Sequence, residues 1–322
     1  MTLANMNVYD DEIYTTTIEL LGQKLDNFNA ASGGAIVLDS GTFRGDYTKE
    51  SFYASLAGAQ RRTNRNGANG AQSSTDLNQK EVVGVKVAGG FGPVLFEPAQ
   101  ITWIQEDPVS AIAAIAEGFA DAMLADQLNT AVGAAVAAVE NVTALVNDVS
   151  GTLGLTQEAL NGSHAKFGDM SGMLRTDVMS GAAYHKLIQR GLQNGERLFE
   201  SSNVTLVSIL GKVFVVSDIP ALEVAGTPNL SKVLSVVSGG IVVDNTSDII
   251  TNLETTNGKE RIETTWQADY TFGIKLKGYA WDVINGGSSP DDAALFTGSN
   301  WDNAMASVKH TLGTLAIADS DL

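Results

Sequence analysis

The longest regular hydrophobic pattern in the chain lies between residues 107 and 147. Apolar residues recur in this segment at spacings of three, four and occasionally five positions, and alanine fills most of the positions between them. The spacing predicts one helix from Pro108 to about Asn147, and Asp107 before Pro108 is a pair that typically begins a helix. Such a helix would be roughly 50 Å long. An ordinary core helix of a large α/β domain would show the same pattern.

The first 42 residues show a weaker pattern. Their apolar positions predict one short helix, built on Ile13, Ile18, Leu20, Leu21 and Leu25. After Gly33-Gly34, residues 35–38 resemble a short strand. We therefore expect an arm with little core of its own.

The segment from 43 to 105 has a polar, glycine-rich stretch between two more apolar flanks. The stretch RRTNRNGANGAQSSTD occupies residues 61–76, and the flank after it alternates from Glu81 to Val87. Two strand-like flanks around a Gly- and Asn-rich tip predict a long hairpin-like excursion. Because a two-stranded hairpin is only marginally stable by itself, we expect this one to lie on its own domain or on a neighbouring subunit.

Helices and strands alternate in the remainder of the chain, which gives the fold class α+β. The patterns predict helices at 156–167 and 176–198, a strand at 212–217, two strands within 234–243 around Gly239-Gly240, a strand-rich segment at 260–279 and a last strand at 312–317. No fixed repeat period is present.

Composition and charge narrow the class of protein. The chain has 322 residues, no cysteine, 20 Lys plus Arg and 37 Asp plus Glu, and so a formal net charge of −17. The missing cysteines exclude disulfides, thiol nucleophiles and cysteine metal sites. The acidic balance argues against tight, sequence-independent binding to nucleic acid, which depends on cations that replace phosphate counterions. No signal peptide is visible at the N-terminus, and the acidic residues within the long helix argue against a membrane span.

The familiar motifs of catalysis and cofactor binding do not occur. The histidines His164, His185 and His310 are far apart in sequence, and none has a zinc-binding spacing. The run from Asp244 to Asp248 lacks the glycine and glutamate of a calcium loop, so it predicts a turn. No phosphate-binding loop or nucleophile elbow is present. We expect no catalytic residue, no cofactor and no metal, although the many carboxylates leave an acid/base pair open.

Several segments in the second half of the chain carry a resemblance to a known family. The motifs are GYAWD at 278–282, GGSSP at 286–290, ALFTGSNWD at 294–302 with Lys309, KFGD at 166–169, VMS at 178–180, and the strand segment 211–218. Their order and spacing resemble the major capsid proteins of tailed bacteriophages, which have the Hong Kong 97-type capsid fold. The resemblance spans roughly residues 106–316.

The resemblance implies a division of the chain into parts. These are an N-terminal arm at 1–42, an extended loop and the start of a peripheral domain at 43–105, the spine helix of that domain at 106–149, an axial domain at 150–263, and return strands with the C-terminus at 264–322.

The resemblance also implies a function. The chain would be a structural protein and not an enzyme, and many copies would form pentamers and hexamers of an icosahedral shell around double-stranded DNA. The DNA would be enclosed without sequence-specific binding, and no membrane would be involved. A portal and a separate scaffolding protein are expected partners, with decoration proteins as optional ones. The protein would be made in the host cytoplasm and reside in the virion capsid.

The chain departs from the family pattern at three places. Ser180-Gly181 stands where the family has a histidine at a helix start. Residues 51–79 contain no lysine, and only Lys49 and Lys80 flank them. The lysine–asparagine cross-link of some members of the fold is therefore not expected. Because the arm begins close to Met1, without a long helical leader, we expect any scaffolding protein to be a separate chain.

Four arginines form the only basic concentration in this acidic chain: Arg44, Arg61, Arg62 and Arg65. Our hypothesis is that they contact acidic residues of an adjacent subunit, and the alternative is a solvated loop tip. Three other classes of protein stay open. These are an encapsulin-type nanocompartment shell, a secreted surface-layer protein, against which the missing signal peptide argues, and a soluble metabolic enzyme.

Overall fold

A six-stranded sheet combines strands from residues 36–96 with strands from residues 241–276. The computed structural model describes residues 3–39, 43–54, 59–97, 100, 106–189, 196–201, 204–209, 212–245, 248–258 and 260–322. The strands of this sheet are β1 Ile36–Asp39, β2 Tyr47–Tyr53, β3 Gln79–Phe96, β11 Ile241–Asn245, β12 Ile250–Thr256 and β13 Glu263–Leu276. Their order is β1-β11-β13-β3-β2, and β12 also pairs with β13.

An eight-stranded sheet contains most of the remaining strands. They are β4 Val146–Asp148, β5 Leu174–Met179, β6 Glu196–Ser201, β7 Val204–Ile209, β8 Lys212–Val216, β9 Glu223–Val224, β10 Leu230–Val237 and β16 Gly313–Asp319. The order is β4-β16-β10-β5-β8-β7-β6, with β9 on β10. A separate pair joins β14 Tyr279–Trp281 to β15 Trp301–Asn303. The helices are α1 Leu3–Ala31, α2 Pro108–Glu140, α3 Gln157–Ala165, α4 Gly181–Gln189 and the short α5 Asp292–Leu295.

The long helix α2 begins where the sequence predicts. The side chain of Asp107 accepts a hydrogen bond from Ser110 N at 3.3 Å, and Pro108 is the first helical residue. The helix ends at Glu140 and not near Asn147. The reason is tertiary, because Val146, Asn147 and Asp148 form β4, which pairs with the last strand, β16.

Helix α2 is long and apolar enough to cross a membrane by length and composition. In this fold, however, 78% of its most apolar window is buried inside the protein. Where α2 packs on the sheet, the contact centres on Trp266 of β13. Its ring centroid lies 5.3 Å from that of Phe119 of α2 and 5.8 Å from that of Phe91 of β3. Helix α2 is therefore a core helix against which the six-stranded sheet packs.

The N-terminal arm is different from the prediction of one short helix with little core. Helix α1 has 29 residues, and it contacts α2 through the ion pair between Lys24 and Asp121, 2.5 Å long. One face of α1 is buried through Ile13, Leu21, Leu25 and Phe28, which recur at helical spacing. Because the chain supplies α2 as a partner for this face, the segment becomes part of the core.

The predicted helix at 176–198 is wrong over its first part. Residues 174–179 form β5, helix α4 covers Gly181–Gln189 and β6 begins at Glu196; residues 190–195 of the predicted helix lie outside the described part of the chain. The strand is favoured because Val178 and Met179 are fully buried between β10 and the parallel strand β8.

The two strands predicted around Gly239-Gly240 are present, but they belong to different sheets. β10 lies in the eight-stranded sheet and β11 in the six-stranded one, and the chain turns between them at Gly239, whose φ of +64° favours glycine. The return segment 264–322 is likewise divided, since β13 lies in one sheet and β16 in the other. The predicted boundary between 263 and 264 therefore does not coincide with the division between the sheets.

One buried amide in α2 gives a prediction about stability. The side chain of Gln127 is fully buried, and neither its oxygen nor its nitrogen has a hydrogen-bond partner among the described residues. A buried polar group without a partner costs about 1–3 kcal/mol. Gln127→Met, which keeps the side-chain length, should therefore raise the melting temperature by a few degrees in a calorimetric scan. Gln157→Met, at an exposed position of α3, is the control and should change little; an equal shift in both variants would contradict the explanation.

Candidate assembly surface

The hairpin predicted between residues 43 and 105 is confirmed in the structure. β2 pairs with β3 in antiparallel register from Tyr47 opposite Val85 to Tyr53 opposite Gln79. One further backbone bond, from Ala54 N to Asn78 O at 2.8 Å, continues the pairing into the loop. The second half of β3 pairs with β13, so the base of the hairpin belongs to the six-stranded sheet.

The loop beyond this pairing lies on no other described part of the chain. Every residue from 59 to 78 is exposed, and residues 55–58 lie outside the described part. The local order comes from Asn64, whose side chain and carbonyl oxygens accept hydrogen bonds from Asn66 N and Gly67 N. Two large apolar side chains at the neck are also exposed, Tyr53 at 67% and Leu77 at 53%. Exposed apolar groups on a projecting loop are typical of a surface that another molecule covers.

The structure separates the four arginines of the candidate contact into two places. Arg61, Arg62 and Arg65 are exposed in the loop. Arg44 is exposed before the start of β2, whose seven residues span about 20 Å. None of the four forms an ion pair within the described residues. The loop therefore presents a group of three unpaired cations, and Arg44 belongs to the base of the hairpin.

The histidines do not come together at a common site. His185 packs against the ring of Tyr184 at 5.6 Å, and His310 is exposed. In the described part of the chain, no group of three or more His, Asp or Glu side chains could hold a metal ion.

His164 belongs to a buried polar network that its sequence context did not predict. Its Nε2 lies 3.1 Å from Asp177 Oδ1 and 3.0 Å from Ser235 Oγ, while Lys212 Nζ lies 3.0 Å from Nδ1. Burial lowers the pKa of Lys212, and the nearby charge of Asp177 opposes that change. Asp177 and Ser235 share one ring nitrogen, and Ser235 is fully buried. This is not the arrangement of a nucleophilic triad, in which the two partners bind opposite nitrogens, so the network joins α3 to the sheet.

The C-terminal motifs have a structural role in the fold. Trp281 and Trp301 pack against each other, with ring centroids 4.8 Å apart. Their indole nitrogens donate to the carbonyl oxygens of Gly287 and Leu295, both at 2.9 Å. The two tryptophans thus build one hydrogen-bonded corner after the end of β13.

Comparisons with known proteins agree with this architecture. A family model described as Gp13-like, major capsid protein 13-like, matches residues 5–315. Among solved structures, the Cyanophage Pam1 capsid asymmetric unit is similar with a TM-score of 0.50 and 9% identity, over 91% of this chain and 92% of that chain. A Mycobacterium phage Cain structure has a TM-score of 0.46 and 12% identity, over 88% of each chain. No curated protein sequence matches the chain.

The family match covers almost the whole chain, and the likeness to the Pam1 capsid covers 91% of it. The predicted Hong Kong 97-type fold is thereby confirmed, and the encapsulin and surface-layer alternatives gain no support. The chain belongs to the Gp13-like family and is a shell-forming major capsid protein of the tailed-phage type.

Proposed function

We propose that many copies of this chain form a closed icosahedral shell around double-stranded DNA, and that the hairpin loop of each copy lies across its neighbours. The observation that carries this proposal is the loop itself, which is exposed from 59 to 78 and has no cover within the described chain. Contacts that are weak individually become strong when each copy makes several of them.

The two sheets suggest how the parts of the shell are arranged. The six-stranded sheet with α1 and α2 would form the peripheral domain, and the eight-stranded sheet with α3 and α4 would form the axial domain that meets its copies around five-fold and six-fold axes. Head-to-tail contacts that close by rotation give rings. Rings of two sizes can then tile a closed surface.

Electron microscopy of the purified protein tests this proposal. The chain should be expressed alone and together with a candidate scaffolding protein. Uniform hollow particles are the expected result. A compact species of about 34 kDa, the mass of a single chain, that enters no large assembly under either condition would contradict the proposal.

Charge suggests what the loop arginines contact. The chain carries 37 acidic and 20 basic residues, so the surface of a neighbouring copy is predominantly acidic. Cations at a loop tip would then be attracted to that surface, and the attraction would weaken as salt screens it. The excess of acidic residues would also prevent the inner surface of the shell from binding the packaged DNA tightly.

Reversal of two loop charges tests the arginine contact. Arg61→Glu with Arg62→Glu should lower the yield of particles at low salt by several-fold, because attraction to an acidic neighbour becomes repulsion. The control is Lys166→Glu with Arg175→Glu, two exposed cations elsewhere whose reversal changes the net charge equally. Particle yield is measured by sedimentation and microscopy. Equal particle yields for the two double variants would contradict the contact between the loop arginines and a neighbouring copy.

The remaining roles follow from the same proposal. The chain would act as a structural protein without catalytic activity. Its further partners would be a portal, a separate scaffolding protein and, in some particles, decoration proteins. Synthesis would take place in the host cytoplasm before incorporation into the capsid. Co-purification of particles with the products of neighbouring phage genes would identify these partners.

A further inference from the structure

A turn after β14 holds one isoleucine out into solvent. Of the large apolar side chains in the described part of the chain, Ile284 is the most exposed, at 91%, and its neighbour Val283 is exposed as well, at 37%. An exposed isoleucine contributes hydrophobic free energy only when another surface removes its side chain from water.

The turn that carries Ile284 is fixed by hydrogen bonds. Asp282 Oδ1 accepts from Ile284 N at 2.9 Å and from Asn285 N at 3.1 Å, and its Oδ2 accepts from Asn285 Nδ2 at 2.5 Å. These bonds hold the pKa of Asp282 below its usual value, so the carboxylate stays charged. At the far end of the turn, Gly287 accepts the hydrogen bond from Trp281. A pre-ordered turn gives up little backbone entropy when it docks.

A cleft of about 420 Å³ lies on the face of the six-stranded sheet that points away from α2. Val83 and Val85 are buried on the inner side, so Gly84 between them faces the cleft. A Cβ atom at Gly84 would lie 2.6 Å from Lys275 Cγ. The missing side chain therefore helps to keep the floor open.

The lining of the cleft is mostly apolar, but it also contains Thr48, Glu50 and Ser51 of β2, and it has lysines at its edge. Val82 and Val242 line it with Gly84. Lys275 at its edge is already paired with Asp244 at 2.6 Å. Lys277, also at the edge, is exposed and has no ion pair among the described residues. The cleft thus offers a mostly apolar floor, with the carboxylate of Glu50 near Lys275 and the charge of Lys277 at the edge.

We propose that the Ile284 turn of one copy docks into this cleft on a second copy. The apolar tip of the turn matches the apolar floor, and the ionised Asp282 beside the tip matches Lys277 at the rim. Because Ile284 is exposed in its own chain, it does not fill its own cleft. A knob and a cleft at different places on one molecule make a head-to-tail contact, which gives a ring when the rotation between copies closes. This inference rests on the proposed shell function and names one of its contacts.

Disulfide trapping tests the contact directly, because the natural chain has no cysteine. Ile284→Cys and Val242→Cys proteins are prepared separately, co-assembled and oxidised. A covalent dimer should form in high yield, since cysteines cross-link only when their Cα atoms lie within about 7 Å. The control replaces the first variant by Ile250→Cys, at an isoleucine that is 71% exposed on β12.

A second measurement uses the wild-type cleft. Ile284→Asp should raise the protein concentration needed for half-maximal assembly by roughly tenfold, because many copies each lose a buried side chain. Ile250→Asp should leave that concentration unchanged. One outcome would overturn this inference and leave the proposed function standing. In it, the wild-type chain forms hollow particles, but the Ile284→Cys and Val242→Cys proteins cross-link no better than the control pair. Failure of the wild-type chain to form any particle would instead overturn the proposed function.

Discussion

Trp266→Ala is expected to lower the free energy of unfolding by about 3–5 kcal/mol, the usual cost when a large buried aromatic is cut back to alanine. Trp266 has no exposed surface, and it contacts Phe119 of the long helix α2 edge-on, with ring centroids 5.3 Å apart. Such edge-to-face pairs add to the burial of apolar area. Removal of the indole would leave a cavity between the sheet and its helix, and each of them is held in place by its other contacts.

Chemical denaturation of the unassembled chain measures this loss. Trp266→Phe should cost markedly less than the alanine variant, because a ring remains between Phe91 and Phe119. Tyr53→Ala is the matched control for removal of an aromatic ring, since Tyr53 is 67% exposed, and it should leave the midpoint nearly unchanged. If Trp266→Ala unfolds at the same denaturant concentration as Tyr53→Ala, the aromatic contact does not hold the sheet to α2.

Local signals allowed several elements to be predicted from sequence. The start of α2 was predictable because Asp107 and Pro108 satisfy the first turn of the helix by themselves. The hairpin was predictable because its glycine-rich tip lies between two strand-like flanks that pair with each other as β2 and β3. In each case the residues that specify the element lie within it or beside it.

Elements that depend on distant partners could not be predicted in the same way. Residues 3–31 form one long helix because α2 buries one of its faces. Residues 174–179 form a strand because β8 and β10 lie on either side. Propensity and periodicity describe the segment alone, and they fail where tertiary packing decides.

The candidate contacts also differ in how far the sequence alone could predict them. The loop arginines stand out in the sequence because basic residues are rare in this chain, and the structure leaves Arg61, Arg62 and Arg65 exposed. Ile284 gave no such signal, since an isoleucine in sequence does not reveal whether it is buried. The cleft depends on register, which brings Gly84 opposite Thr48 and Val242 opposite Lys275. Only the folded chain shows that both features exist.

The network around His164 is the extreme case, because it joins four elements of the fold. His164 lies on α3, Asp177 on β5, Lys212 on β8 and Ser235 on β10. Asp177 is 1% exposed, and its Oδ2 has no hydrogen-bond partner among the described residues. The carboxylate therefore depends on the contact with His164 and on the nearby charge of Lys212.

Asp177→Ala should lower the free energy of unfolding by about 3 kcal/mol, because it leaves the partly buried ammonium of Lys212 without its counter-charge. Lys212→Met alone should also destabilise the chain, since it leaves the buried carboxylate without a cation. The double variant Asp177→Asn with Lys212→Met removes both charges, and its loss should be clearly smaller than the sum of the losses of Asp177→Asn and Lys212→Met measured singly. Denaturant titrations of the wild type and these variants provide the measurement. Strict additivity in this cycle would mean that the charges of Asp177 and Lys212 do not stabilise each other.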